Sequence, residues 1–149
     1  MMIFKFDIEP QPQDRPRIGY KKSWNNKTSR YEKIPTLHDT TRTHEYKQTL
    51  CALAQYSKKA KKYTIPEGAL RVSFTFVKEP PTSWSATKKH KAYTGEIRPE
   101  SKPDLSNYVK SAEDALNTIL WHDDNVIVEG ENKKLYGEKP YVLVEIDKV

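Results

Sequence analysis

Alternation and helical spacing of apolar side chains mark six elements along the chain, separated by polar stretches with neither period. Ile3-Phe4-Lys5-Phe6-Asp7-Ile8 alternates and stops at Glu9-Pro10, which predicts a first strand. Thr41 or Thr43 can cap a helix running to about Lys62, with Tyr46, Leu50, Leu53 and Ala54 as its buried stripe. Leu70 to Val77 alternates again and ends at Pro80-Pro81. After Pro103, the residues Leu105, Tyr108, Val109, Ala112, Leu116 and Ile119 recur at helical spacing and predict a second long helix. Asp124 to Glu129 then opens a strand, and a turn near Gly137 leads into a last one, Tyr141 to Ile146. The order β-α-β-α-β-β, without internal repeats, predicts a single α+β domain: a mixed β-sheet with two main helices on one face.

The stretches between these elements carry much of the positive charge. Gln11 to Asp39 reads as a long loop in which Arg15, Arg17, Lys21, Lys22, Lys27, Arg30 and Lys33 interleave with Tyr20, Trp24 and Tyr31. Thr82 to Ser101 reads as a second basic loop with one short helix, holding Lys88, Lys89 and Lys91. Lys58 to Lys62 has a plainer explanation, since cations at a helix C-terminus complement its dipole. Residues 1–99 hold 20 Lys and Arg against 9 Asp and Glu, a net of +11; residues 100–149 hold 6 against 11, a net of −5. A basic majority beside a compact acidic segment suits an enzyme that grips phosphates and gathers carboxylates around a metal. Solvated charge alone would also account for it.

With 149 residues, 36% of them hydrophobic, the chain has enough for one domain and a modest core, and its 3 Trp, 9 Tyr and 4 Phe argue against disorder. The single cysteine, Cys51, excludes an intramolecular disulfide and a cysteine-cluster zinc site, and it falls on the apolar side of the first helix as buried filler. His38, His44, His90 and His122 show no ligand spacing. No apolar run reaches the length of a membrane span, and Met1-Met2-Ile3-Phe4-Lys5 does not read as a signal peptide, so a soluble, cytoplasmic protein is expected.

The candidate chemistry lies in Lys102-Pro103-Asp104-Leu105-Ser106-Asn107, followed by Lys110, Asp114 and the pair Asp123-Asp124. Carboxylates drawn from a helix start and a following strand are the hard oxygen donors that a divalent cation needs, and a nearby lysine can offset phosphate charge. Asp104 can instead cap the helix. Adjacent strand residues point to opposite faces, so at most one of Asp123 and Asp124 can easily meet Asp104.

The run Lys102-Pro103-Asp104-x-Ser106-Asn107-x-x-Lys110-x-x-x-Asp114-Ala115-Leu116-Asn117, then Trp121-x-Asp123-Asp124, resembles the signature of the RusA family of Holliday-junction resolvases. Looser similarity reaches the first strand, the Arg15-Pro16-Arg17 loop and the segment from Trp84 to Gly95, so residues 1–149 read as one RusA-like nuclease domain. The resemblance implies a Mg²⁺-dependent homodimeric endodeoxyribonuclease, with Mn²⁺ as a substitute metal, that binds four-way DNA junctions and cuts two opposed strands. Carried over by position, Asp104 and Asp124 are the metal-binding carboxylates and Lys110 faces the scissile phosphate, these three being the catalytic set. Asn107 and Asp114 support them, Asp114 by orienting Lys110 at i,i+4. Arg15, Arg17, Lys88, Lys89 and Lys91 are the DNA-contact candidates. The chain departs from the family pattern at Ser106, where an aspartate is usual. Ser106 or its bound water completes the shell, or a carboxylate such as Asp123 or Glu113 moves in. Failing either, the alternative is a branched-DNA-binding protein with little or no cleavage. A basic RNA-binding protein is the weaker third reading, because the strands lack an RNP-type aromatic signature.

Overall fold

The computed structural model describes residues 1–149. Seven strands and three helices follow in the order β1 (Met2–Phe6), β2 (Arg17–Asn25), β3 (Arg30–His38), α1 (Thr41–Ala60), β4 (Leu70–Lys78), α2 (Ala86–Tyr93), α3 (Leu105–Leu116), β5 (Ile127–Glu129), β6 (Asn132–Tyr136) and β7 (Tyr141–Lys148). The main sheet is mixed: β7 lies between β1 and β4 and is antiparallel to both, while β5 and β6 both run parallel to β4 along its other edge. It is the α+β arrangement expected from the sequence.

Alternation places Phe4 and Phe6 of β1, Val72, Phe74 and Phe76 of β4, and Val142, Val144 and Ile146 of β7 in one core. Tyr46, Leu50 and Ala54 of α1 and Tyr108, Ala112, Ala115 and Leu116 of α3 complete it, with Leu120 and Trp121 from the turn after α3. Trp121 is fully buried and meets Phe74 edge to face at 6.4 Å. Tyr63 donates its hydroxyl to the Leu120 carbonyl at 2.7 Å, fixing that turn, and burial pushes its phenol up to about 12.

Several sequence expectations change in detail. The N-cap of α1 is Thr40, one residue before the expected start, and its hydroxyl accepts the Thr43 N–H. The expected loop from Gln11 to Asp39 holds a β2–β3 ribbon, a separate antiparallel two-stranded sheet. The fifth strand begins at Ile127, because Asp124 to Val126 forms a 3-10 turn. An unforeseen strand, β6, follows the break at Gly130, where a Cβ would lie 1.8 Å from the Val72 carbonyl oxygen, so only glycine fits. Cys51 is half-buried rather than buried.

Candidate functional site

The segment Gln11–Asp14 is strung between the two long helices. Ser111, buried in α3, donates its hydroxyl to the Gln11 carbonyl at 2.6 Å, and the Gln13 N–H donates to the Asn107 carbonyl at 2.9 Å. The Asp14 N–H reaches Thr43 Oγ1 of α1 at 3.3 Å. The N-terminal ends of α1 and α3 thereby border one cleft of about 360 Å³, lined by Gln13, Asp14, Arg15, Arg42, Lys102, Asp104 and Asn107 among others. Two helix N-termini and three cations make this a favourable place for a phosphate.

Its acids are not equivalent. Asp14 accepts two hydrogen bonds from the Arg42 guanidinium, at 2.7 and 3.3 Å, and one from Thr40 at 2.8 Å. The guanidinium bond outweighs the effect of burial and holds the Asp14 carboxyl below its ordinary value. Asp39, in the adjoining depression, is lowered likewise, first by Lys47 at 2.9 Å and then by the Gln13 side-chain amide at 3.0 Å. Asp104 occupies the N-cap position of α3 with extended backbone, yet its carboxylate makes no capping hydrogen bond. Capping therefore does not account for this aspartate, which remains exposed at the cleft as its uncommitted carboxylate. Lys134 of β6 steadies its approach by donating to the Ser101 and Pro103 carbonyls, each at 3.1 Å.

Asp124 lies past the other end of α3, which rises about 18 Å over its 12 residues. It belongs to the 3-10 turn rather than to a strand, so Asp123 and Asp124 are not divided between two sheet faces as the sequence led us to expect. The Trp121 indole N–H donates to Asp124 Oδ1 at 2.7 Å. Burial raises the Asp124 carboxyl, the indole bond partly opposes this, and the charges of Asp114 and Asp123 add to the rise. Glu113 is raised too, by burial first and then by Asp124 and Asp114. The acids around Asp124 are thus Glu113, Asp114 and Asp123. No three His, Cys, Asp or Glu side chains converge tightly enough to hold a metal ion by themselves.

Lys110 and Ser106 are exposed on α3. The expected Lys110–Asp114 pair is replaced by an interhelix one: Lys47 of α1, held between Asp39 and Asp114, reaches Asp114 Oδ2 at 3.2 Å. Asn107 ties the helix entry to the Gln13 segment through its backbone, and the residue also lines the cleft. Arg15 lines the cleft and Arg17 its neighbouring depression, both exposed. Lys88, Lys89 and Lys91 lie on α2, with Lys88 Nζ 4.1 Å above the Trp84 ring. Asp14, Arg42, Lys47 and Lys134 were not foreseen. The one available signal was the acid Asp14 set among the basic residues Arg15 and Arg17.

No helix is long and apolar enough to cross a membrane. Against known proteins, the chain is 33% identical to the Bacillus subtilis (strain 168) "Uncharacterized protein YqaN", across 100% of this chain and 99% of that one. The family model described as "Endodeoxyribonuclease RusA" matches residues 7–147, which include the ribbon, the cleft and both ends of α3. The chain belongs to the RusA endodeoxyribonuclease family.

Proposed function

We propose that the protein is a Mg²⁺-dependent, structure-selective endodeoxyribonuclease that resolves four-way DNA junctions as a homodimer, with Mn²⁺ able to replace Mg²⁺. The observation that carries this reading is Asp104: a carboxylate at a helix N-cap that does not cap, beside Arg15, Arg42 and Lys102. The donor chemistry suits a hard cation. Asp104 is uncommitted, and Asp124 and Glu113 are raised by burial first and then by neighbouring carboxylate charge, which a divalent cation beside them would offset. Within one chain α3 separates Asp104 from Asp124, so the two would not share one ion: Asp104 would hold a cation with Ser106 contributing its hydroxyl or a water, and Asp124 would do so with Asp123 available as a further donor. When bound, such a cation polarises the phosphate and lowers the pKa of an attacking water.

The protein's own groups do the rest. Arg15, Arg42 and Lys102 draw a DNA phosphate to the cleft, where the N-terminal dipoles of α1 and α3 add to the attraction. Asp14 fixes the Arg42 guanidinium through paired bonds, so that cation is presented in one orientation. Lys110, exposed on α3, offsets charge on the phosphate. A homodimer offers two such sites related by a two-fold axis, which matches two opposed cuts in a four-way junction.

Asp104→Asn and Asp124→Asn each remove a charge and keep the shape. Either should abolish Mg²⁺-dependent nicking of a synthetic junction while leaving junction binding near wild type. Wild-type rates in one variant would remove that residue from the site.

A further inference from the structure

The β2–β3 ribbon packs little against the rest of the fold, and its ladder runs from Arg17↔His38 to Asn25↔Arg30. Directly opposed residues of an antiparallel pair share a face. One face therefore carries Ile18, Tyr20, Lys22 and Trp24 with their partners Leu37, Pro35, Lys33 and Tyr31. Ile18, Tyr20, Tyr31 and Leu37 are each about two-thirds exposed or more, and Trp24 is 52% exposed. Near the tip, Trp24 and Tyr31 meet edge to face at 5.1 Å, which leaves ring surface open.

Lys22 stands directly opposite Lys33 in the middle of this face, and no acid shares it. Like charges in that relation repel, so the arrangement is unfavourable until an anion lies between them. Residues 17–38 together carry six Lys and Arg against one acid, Glu32, which lies on the other face opposite Ser23. A second copy of the chain is a poor occupant. An isologous contact would set two lysine pairs against each other and strip water from all four charges. Cations alternating with open aromatic rings fit a nucleic acid strand, with phosphates on the lysines and bases on the rings.

The ribbon also begins at the site. Arg17 and His38, its first pair, line the depression that adjoins the cleft and shares Asp14 and Arg42 with it. Nine residues per strand carry the tip about 30 Å outward. We propose that the ribbon is a second DNA-binding element, which grips the strand leaving the cleft where bases are unstacked at the branch point. Lys22 and Lys33 hold its phosphates, and Trp24 and Tyr31 stack on its bases. This rests on the junction-nuclease reading for its substrate, though not for its chemistry.

The test uses the full chain without divalent metal and three labelled DNAs: a four-way junction, a linear duplex of the same arm sequence, and an oligo-dT strand. Trp24→Ala/Tyr31→Ala should weaken junction and oligo-dT binding about tenfold or more and change duplex binding less than twofold. Trp24→Phe/Tyr31→Phe keeps the rings and should restore most of the affinity. Lys22→Gln/Lys33→Gln should weaken all three and flatten the log–log salt slope by about 1.4–1.8. Unchanged thermal unfolding in each variant checks that the core is intact. Wild-type junction and oligo-dT affinity in both the Ala and the Gln variants overturns the proposal. Unchanged DNA binding with a smaller species in sedimentation overturns it as well and assigns the face to a second copy. If wild type nicks junctions in Mg²⁺ while the ribbon variants bind normally, only the ribbon proposal fails. If wild type does not nick but loses oligo-dT binding with the rings, the ribbon stands and the nuclease reading fails.

Discussion

Trp121→Phe separates the two tasks of one side chain: filling the core and donating to Asp124. The indole is fully buried, and its N–H meets Asp124 Oδ1 at 2.7 Å. Phenylalanine keeps the packing against Phe74 but loses the donor. Hydrogen bonds to charged groups contribute about 1.5–3 kcal/mol, and the lower end applies because Asp124 is only partly buried. A gap of roughly 40 Å³ at about 24 cal/mol per Å³ adds about 1 kcal/mol, so the loss at neutral pH should be about 2.5 kcal/mol. The pH dependence carries the sign. Burial already raises the Asp124 carboxyl, and the indole is the influence that opposes this. A raised folded-state value means that Asp124 costs stability as pH climbs from the unfolded value through the folded one. Removing the indole enlarges that cost. Urea unfolding should therefore show the variant closest to wild type in acid, where Asp124 is protonated and only packing differs, and furthest at pH 7. The acid limb of any Mg²⁺-dependent cleavage should also move to higher pH. An equal destabilisation at both pH values would refute the role given to the indole.

Other perturbations read the site more directly. Ser106→Asp supplies the carboxylate usual in the family pattern, and the half-saturating Mg²⁺ for cleavage should fall; an unchanged value would mean that another ligand fills the position. Lys134→Met frees the Ser101 and Pro103 carbonyls. Cleavage should drop about tenfold with junction affinity unchanged, at a stability cost of about 1–2 kcal/mol in a denaturant melt, and wild-type cleavage would show that Asp104 is held without it. Neutralising Lys88, Lys89 and Lys91 together should flatten the salt dependence of junction binding by about 0.7–0.9 for each phosphate left without its cation, and by more than neutralising Lys58, Lys59 and Lys61. The reverse order would place the DNA at the end of α1.

Those elements whose one face is buried were legible in the sequence. β1, β4 and β7 alternate because Phe4 and Phe6, Phe74 and Phe76, and Val142 and Val144 meet the helices while their neighbours point away. The ribbon escaped because neither of its faces is buried, Lys22 and Lys33 interrupt the alternation of Ile18, Tyr20 and Trp24 and of Tyr31, Pro35 and Leu37, and Gly19 and Pro35 read as breakers. β6 escaped because Gly130 interrupts one edge of β4, a constraint set by the distant Val72 carbonyl. Asp104 was legible from the motif, whereas its setting was not. Arg42 meets Asp14 across 28 residues and Lys134 meets Pro103 across 31, pairings that local pattern does not carry. The pairing of Asp104 with Asp124 as metal ligands came from the family resemblance, and in the fold a full helix stands between them.

The central claim is metal-dependent junction resolution by a protein with two equivalent sites. Its most direct measurement is the cleavage pattern of wild-type protein on a four-way junction labelled separately on each strand, with Mg²⁺ and with chelator, alongside linear duplex. Paired nicks are expected at symmetry-related positions in two opposed strands, dependent on Mg²⁺ and absent from the duplex. Cleavage that persists in chelator, falls on one strand only, or proceeds equally on linear DNA would contradict it.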